Sequence, residues 1–285
     1  MKVLIPAVLF IVLAPIAGGL LNGIDRILSA RIQKRVGPHL LQPFYDVLKL
    51  MKKENVIVNR SQNVYVVCFL VFTIFTGVLF FTGADILLTV FSSTVAGVFL
   101  VLGGYSTYSP YSFIGSEREL ISMMADEPMV IMMAIGMYMV TKSFRISDMI
   151  AYGSPILFAL PGIFIGYVFV LTIKMKKSPF DLSSSHHAHQ EVVSGIKTEF
   201  SGKSLALFEV AHWYENIFLL GTIYLFFASN PMVGVVATLA VYFLEICIDN
   251  MAARVKWQLL LKSSWLVAIV AGAVNIFVLY LAEYL

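Results

Sequence analysis

The sequence predicts an all-α polytopic membrane protein, a single bundle of about eight transmembrane helices with two long charged connections on one side. Three observations carry this. Hydrophobic residues make up 59% of the 285 and charged residues only 13%, about half the quarter that a soluble domain carries, and the mean hydropathy is +0.85. Eight apolar runs are long enough to cross about 30 Å of hydrocarbon. Basic residues concentrate in alternate connections, the arrangement that sets membrane orientation.

The runs lie at approximately 3–21, 64–82, 86–104, 121–141, 155–173, 205–228, 231–249 and 264–284. The first has Lys2 alone as a basic flank and no convincing cleavage site, so it reads as a retained helix rather than a signal peptide. Tight joints at Thr82-Gly83-Ala84-Asp85 and Ser229-Asn230-Pro231 separate the second run from the third and the sixth from the seventh. No soluble domain and no internal repeat interrupts the series, so residues 1–285 form one transmembrane domain with long loops at 22–63 and 174–204. Of the 20 lysines and arginines, all but Lys2, Lys142 and Arg145 fall in the odd-numbered connections. The expectation is therefore a multi-pass protein of the cell membrane with large loops in the cytoplasm and both termini outside.

Of the 17 acids, all but Asp85, Asp148 and Glu283 lie on the predicted cytoplasmic side. They come in sets. Glu117, Arg118 and Glu119 lead into Asp126 and Glu127 of the fourth run; Glu209, His212 and Glu215 recur at spacings of three in the sixth; Glu245 and Asp249 are four apart in the seventh. Spacings of three and four keep the second and third sets each on one helical face. Ionisable groups at membrane depth are expensive and usually face a bundle interior or a water-filled cavity. Each set could simply pair with nearby lysines and arginines; three sets weighted to one side point instead to a shared hydrated cavity suited to protons or another cation.

Both long connections carry further signals. In 43–54, Phe44, Val47, Leu48 and Met51 form an apolar stripe among Asp46, Lys49, Lys53 and Glu54. That is an amphipathic segment lying at the membrane surface or under a docked partner. The second connection holds His186, His187 and His189 beside Glu191. Their spacing matches no closed tetrahedral motif, so the segment reads as a proton-exchange or contact surface rather than a metal site. Cys68 and Cys247 cannot supply the four ligands of an iron–sulfur cluster.

Arg35-Val36-Gly37-Pro38, Asp46 with Lys49-Leu50 and Lys53-Glu54, Pro179-Phe180-Asp181, and Glu199-Phe200-Ser201-Gly202 together resemble the H subunit of respiratory complex I, whose family includes the equivalent subunits of membrane-bound hydrogenases. The resemblance runs to Arg254-x-Lys256-x-Gln258-Leu259 and so covers essentially the whole chain. Two departures look like the energy-converting nickel–iron hydrogenases of the Ech type. Ser183 to Glu191 replaces the acid-rich stretch that follows Pro-Phe-Asp in quinone-reducing members, and His212 stands where those members look to have a glutamate.

The resemblance implies a membrane anchor that couples ferredoxin-driven hydrogen evolution to proton or sodium translocation. It implies no catalytic centre and no cofactor on this chain, with iron–sulfur clusters and a nickel–iron site in partner subunits. Those partners would be hydrogenase small and large subunits, an iron–sulfur ferredoxin-like subunit and an antiporter-like membrane subunit; nucleic acid is not among them. Glu127 matches a glutamate in the family's fourth-helix pattern, and Asp181, Glu191 and Glu199 join the expected ion pathway at its cytoplasmic mouth. Arg31, Arg35, Asp46, Lys49, Lys53 and Glu54 are the expected docking residues. A quinone- or methanophenazine-linked complex, a formate hydrogenlyase, or a free-standing cation carrier are the alternatives.

Overall fold

A computed structural model describes residues 4–56, 59–177, 180, 183 and 194–284. Asp181, His186, His187, His189 and Glu191 lie outside the described residues. The chain is helical almost throughout: α1 Leu4–Ile32, α2 Gln42–Lys52, α3 Arg60–Phe81, α4 Ile86–Tyr105, α5 Pro110–Thr141, the short α6 Ile146–Ala151, α7 Pro161–Lys174, α8 Gly202–Leu225 and α9 Pro231–Met251. A last long helix is built from α10 Trp257–Val267, a π-helical turn Ala268–Ala273 and α11 Val274–Tyr284.

Six of these are long and apolar enough to cross a membrane: α1, α3, α4, α5, α9 and the last helix. The 24-residue α8 has the length but carries Glu209, His212 and Glu215. The apolar α7 has 14 residues, about 21 Å at 1.5 Å per residue. With these two, the helix count is roughly that expected from the sequence. Local chemistry starts them at the joints that the sequence marks. The Asp85 side chain accepts from the Leu87 N–H at 2.8 Å and caps α4; that of Asn230 accepts from Met232 at 3.2 Å and caps α9. Pro110 and Pro161 open α5 and α7, where a missing N–H costs nothing.

Three helices outrun their apolar stretches. α1 continues to Ile32, α5 begins at Pro110 and the last helix begins at Trp257. Glu117, Arg118 and Glu119 are therefore turns of α5, not part of a connection, and the first connection shrinks to 33–59. Hydropathy marks the hydrocarbon crossing, not the helix end: the 32 residues of α5 span about 48 Å, well beyond about 30 Å of hydrocarbon.

The largest core cluster joins α5, α7 and α8 through Met129, Met133, Met137, Ile163, Tyr167 and Phe218. α1 reaches α8 through Gly18, where a Cβ would lie 2.5 Å from the Trp213 carbonyl oxygen. The connection at 195–196 is wedged between α4 and α5, because Gly104 and Gly115 leave room for Ile196 and its backbone. On the opposite side, the Asn275 side chain accepts from the Gly162 and Ile163 N–H groups at 3.0 and 3.1 Å and donates to the Ala159 carbonyl. This fixes the start of α7 against the first turn of α11. Reporter fusions at residue 58 and within 184–190 should read cytoplasmic and one at 146 external; two reversed reporters would contradict the orientation drawn from the basic residues.

Candidate ion-pathway site

Turning out of α7 sets the geometry. Lys174 ends the helix, and Lys176 takes a left-handed backbone at φ 54°, a region costly for a residue with a Cβ. The turn directs three ammonium groups inward to meet carboxylates from three helices. Lys174 Nζ lies 2.9 Å from Asp126 of α5. Lys176 Nζ lies 3.1 Å from Glu119 of α5 and 5.8 Å from the ring centre of Phe208. Lys177 Nζ lies 2.5 Å from Asp25 of α1 and 3.7 Å from Asp249 of α9. Ser183 also donates to Glu119.

On α8 the spacing of three does what helical periodicity requires. His212 Nδ1 and Glu215 Oε2 are 2.7 Å apart, with the imidazole held edge-on by Phe208 and Phe69. One turn earlier Glu209 faces Lys197 at 3.5 Å. Burial is the largest influence on Lys197, and with Lys176 nearby it outweighs the pull of Glu209, so the ammonium is held below its ordinary value. Such an amine releases its proton more readily than a surface lysine.

These groups border adjoining spaces that share wall residues. A cavity of about 200 Å³ is lined by Asp25, Arg26, Lys174, Lys176, Lys177, Lys197, Glu209, His212 and Asp249. A smaller one, about 50 Å³, is lined by Glu119, Asp126, Glu127, Lys174, Lys176 and Glu215. Lys174 and Lys176 border both, and the His212–Glu215 pair has one member in each. A third, about 20 Å³, continues past Glu127 and Lys174 between α4, α7 and α8. Alternating acids and bases around polar cavities can pass a cation stepwise, because each group can exchange partners without entering hydrocarbon.

The structure thus brings together Glu119, Asp126, Glu127, Glu209, His212, Glu215 and Asp249. Glu245 lies beside them on α9, fully buried; the Thr172 hydroxyl is near it, but neither carboxylate oxygen has a well-formed hydrogen bond among the described residues. Arg118 is buried on the same turn of α5 as Glu119. Two expected members stand apart. Glu117 is exposed and accepts from the Tyr105 hydroxyl at 2.5 Å. Glu199 accepts from Gln62 through its backbone carbonyl, and its carboxylate borders none of the three cavities. Asp25 and the lysines at 174, 176, 177 and 197 are members outside the expected set; the signal for the first three lysines was the run Lys174-Met175-Lys176-Lys177 directly after an apolar helix.

The expected docking residues divide. Arg31, Arg35, Lys49, Lys53 and Glu54 are exposed. Asp46 instead faces α1, 2.7 Å from Arg26. Burial, its largest influence, raises its carboxyl, but Arg26, Gln42 and Lys49 together overcome this and hold it below its ordinary value. A depressed acid contributes its stability above its unfolded value and loses it as pH falls through the folded one, so this fastening is complete at neutral pH. The apolar stripe of α2 also splits. Phe44 turns inward, 5.2 Å from Trp213, Val47 is half-buried, and Leu48 and Met51 remain exposed.

Residues 5–280 match the model of the NADH dehydrogenase family. The chain is 27% identical to the H subunit of the NADH-quinone oxidoreductase of Bacillus cytotoxicus, over 97% of this chain and 92% of that one. It is 27% identical to formate hydrogenlyase subunit 4 of Escherichia coli over 93% and 95%, and 26% identical to hydrogenase-4 component C of the same organism over 91% and 90%. Its fold is similar to that of a chain in the solved membrane-bound sulfane sulfur reductase, an archaeal respiratory membrane complex, with a TM-score of 0.83, 22% identity, and 96% and 100% of the two chains covered.

Proposed function

The chain belongs to the NADH dehydrogenase family, which includes the H subunit of NADH-quinone oxidoreductase, and on that premise we propose that it is the membrane anchor and ion-coupling subunit of an energy-converting nickel–iron hydrogenase. In this reading it joins ferredoxin-driven hydrogen evolution to cation movement across the cell membrane. The observation that carries it is the series of acid–base pairs from α1, α5, α8 and α9, gathered by the lysine turn after α7 around adjoining cavities. His212, within hydrogen-bonding distance of Glu215, favours the hydrogenase branch through the family resemblance. Full-length similarity to formate hydrogenlyase subunit 4 supports a second reading, in which formate is the electron source.

In both readings electron transfer belongs to partners. Cys68 on α3 and Cys247 on α9 are free thiols on separate helices, a donor set that does not fit a four-cysteine cluster. Purification through this subunit should recover a nickel–iron hydrogenase that evolves hydrogen with reduced ferredoxin; recovery of a quinone reductase without nickel would overturn the assignment. The chain freed of partners should hold no stoichiometric iron, nickel or flavin. About one metal per chain, lost when His186, His187 and His189 are replaced, would reverse that expectation.

The exposed charges of 31–54 and the connection after α7 lie on one side, since Val56 exchanges hydrogen bonds with Ser201 and Asn55 donates to Ser204. Together they form the surface on which the cluster-bearing partner docks in this proposal. Arg35→Glu should release the soluble module from membranes while this chain stays inserted. A module still bound and active would place docking elsewhere. Asp46 variants answer a different question, because they loosen α2 from α1.

A further inference from the structure

Resting on the coupling reading above, one feature reaches past the acid–base cavities. The third void, about 20 Å³, starts at Glu127 and Lys174 and continues away from the lysine turn. Its polar lining consists of hydroxyls: Thr89, Ser93 and Thr94 of α4, Tyr167 of α7 and Thr222 of α8. Thr89, Tyr167 and Thr222 are each at most 2% exposed.

Tyr167 and Thr222 are hydrogen-bonded at 2.5 Å across the two helices. Thr222 spends its own proton on the Leu219 carbonyl at 2.7 Å, so in this arrangement Tyr167 is the donor. At the far end the Thr89 hydroxyl donates to the Asp85 carbonyl at 2.8 Å, and Asp85 caps α4 at the joint with Arg145.

Size decides what such a route can pass. A space that admits one water needs roughly 10–15 Å³ by this measure, and the water needs two to four polar partners. The void meets both conditions for about one water. A hard cation carries about six oxygens, and the bulky walls of Phe80, Ile86, Met133 and Phe218 leave no room for that shell. A proton needs only a relay of hydroxyls and one water.

We propose that the outward half of the ion path lies within this chain, running from Glu127 along the hydroxyls of Thr94, Ser93, Tyr167, Thr222 and Thr89 toward Asp85, and that it carries protons rather than sodium. The competing account is that these hydroxyls are packing groups already satisfied by their own helices, as Thr89 is by Asp85 and Thr94 by Val90.

The test uses the complete complex in inverted vesicles, with acidification and ²²Na⁺ uptake both measured per hydrogen evolved. Tyr167→Phe with Thr222→Val should lower proton uptake per hydrogen at least tenfold with all subunits present, and Thr222→Ser should keep it at the wild-type value. Thr94→Val, a near-isosteric change beside Glu127, should lower it too, which covers failure of the double variant to assemble. Wild-type uptake in these variants while Glu127→Gln loses it would overturn the hydroxyl route and leave coupling standing. Wild-type uptake in Glu127→Gln as well would overturn the coupling reading itself. Sodium uptake that persists with a protonophore would overturn the choice of ion.

Discussion

Replacing Asp126 with leucine should be the most damaging single change in the protein, and replacing Lys174 with methionine at the same time should recover most of the loss. The two side chains are 6% and 19% exposed and 2.9 Å apart. Breaking such a pair from one side leaves a charge in a poorly solvated site and costs about 3–5 kcal/mol, whereas substituting both partners with apolar residues of similar volume is often neutral. The pair ties the end of α7 to the middle of α5, so its loss also frees the lysine turn. The check is detergent-solubilised stability and subunit content for the two single variants and the double variant. Equal damage in the double variant and in Asp126→Leu would mean that the pair contributes through something other than mutual neutralisation. The double variant should still fail to translocate ions if Lys174 is a relay group, which separates scaffold from pathway.

The bundle was legible in the sequence because its signals are long and local. Eight apolar stretches, the caps at Asp85 and Asn230, and the alternation of basic connections each report on one element at a time. The ends of α1 and α5 were not legible, since charged turns such as Glu117 to Glu119 look like a connection to any measure of hydropathy. The site was half legible. Acid sets on α5, α8 and α9, the last two at spacings of three and four, pointed to a shared space, and Asp126, Glu127, His212, Glu215 and Asp249 all border it.

Their partners were less visible. Lys174, Lys176 and Lys177 read as loop charge that sets orientation, and only the left-handed turn at Lys176 shows that they point inward. Asp25 meets Lys177 across 152 positions of sequence, a pairing that no local pattern encodes. Tyr167 and Thr222, 55 positions apart, look like ordinary residues of apolar helices until the fold joins them. Asp46 shows a different error: a charge in an amphipathic segment reads as a free docking group, yet at the surface it is held by Arg26 of α1.

The second large effect concerns Glu127, which stands where the 50 Å³ and 20 Å³ cavities meet. Glutamine keeps the size and hydrogen-bonding capacity of the side chain and removes only the titrating group, so a packing role survives the change and a relay role does not. Asp126 beside it already holds Lys174, so the lysine turn should remain in place in Glu127→Gln and the complex should assemble. Ion uptake per hydrogen should fall at least tenfold, with hydrogen evolution persisting where the membrane gradient is collapsed. The measurement that decides is ion uptake by inverted vesicles during ferredoxin-driven hydrogen evolution, wild type against Glu127→Gln, with every subunit quantified by blotting. A fully assembled variant that evolves hydrogen but takes up few ions is the predicted result; wild-type uptake per hydrogen would remove Glu127 from the path and contradict the account of this chain as the coupling subunit.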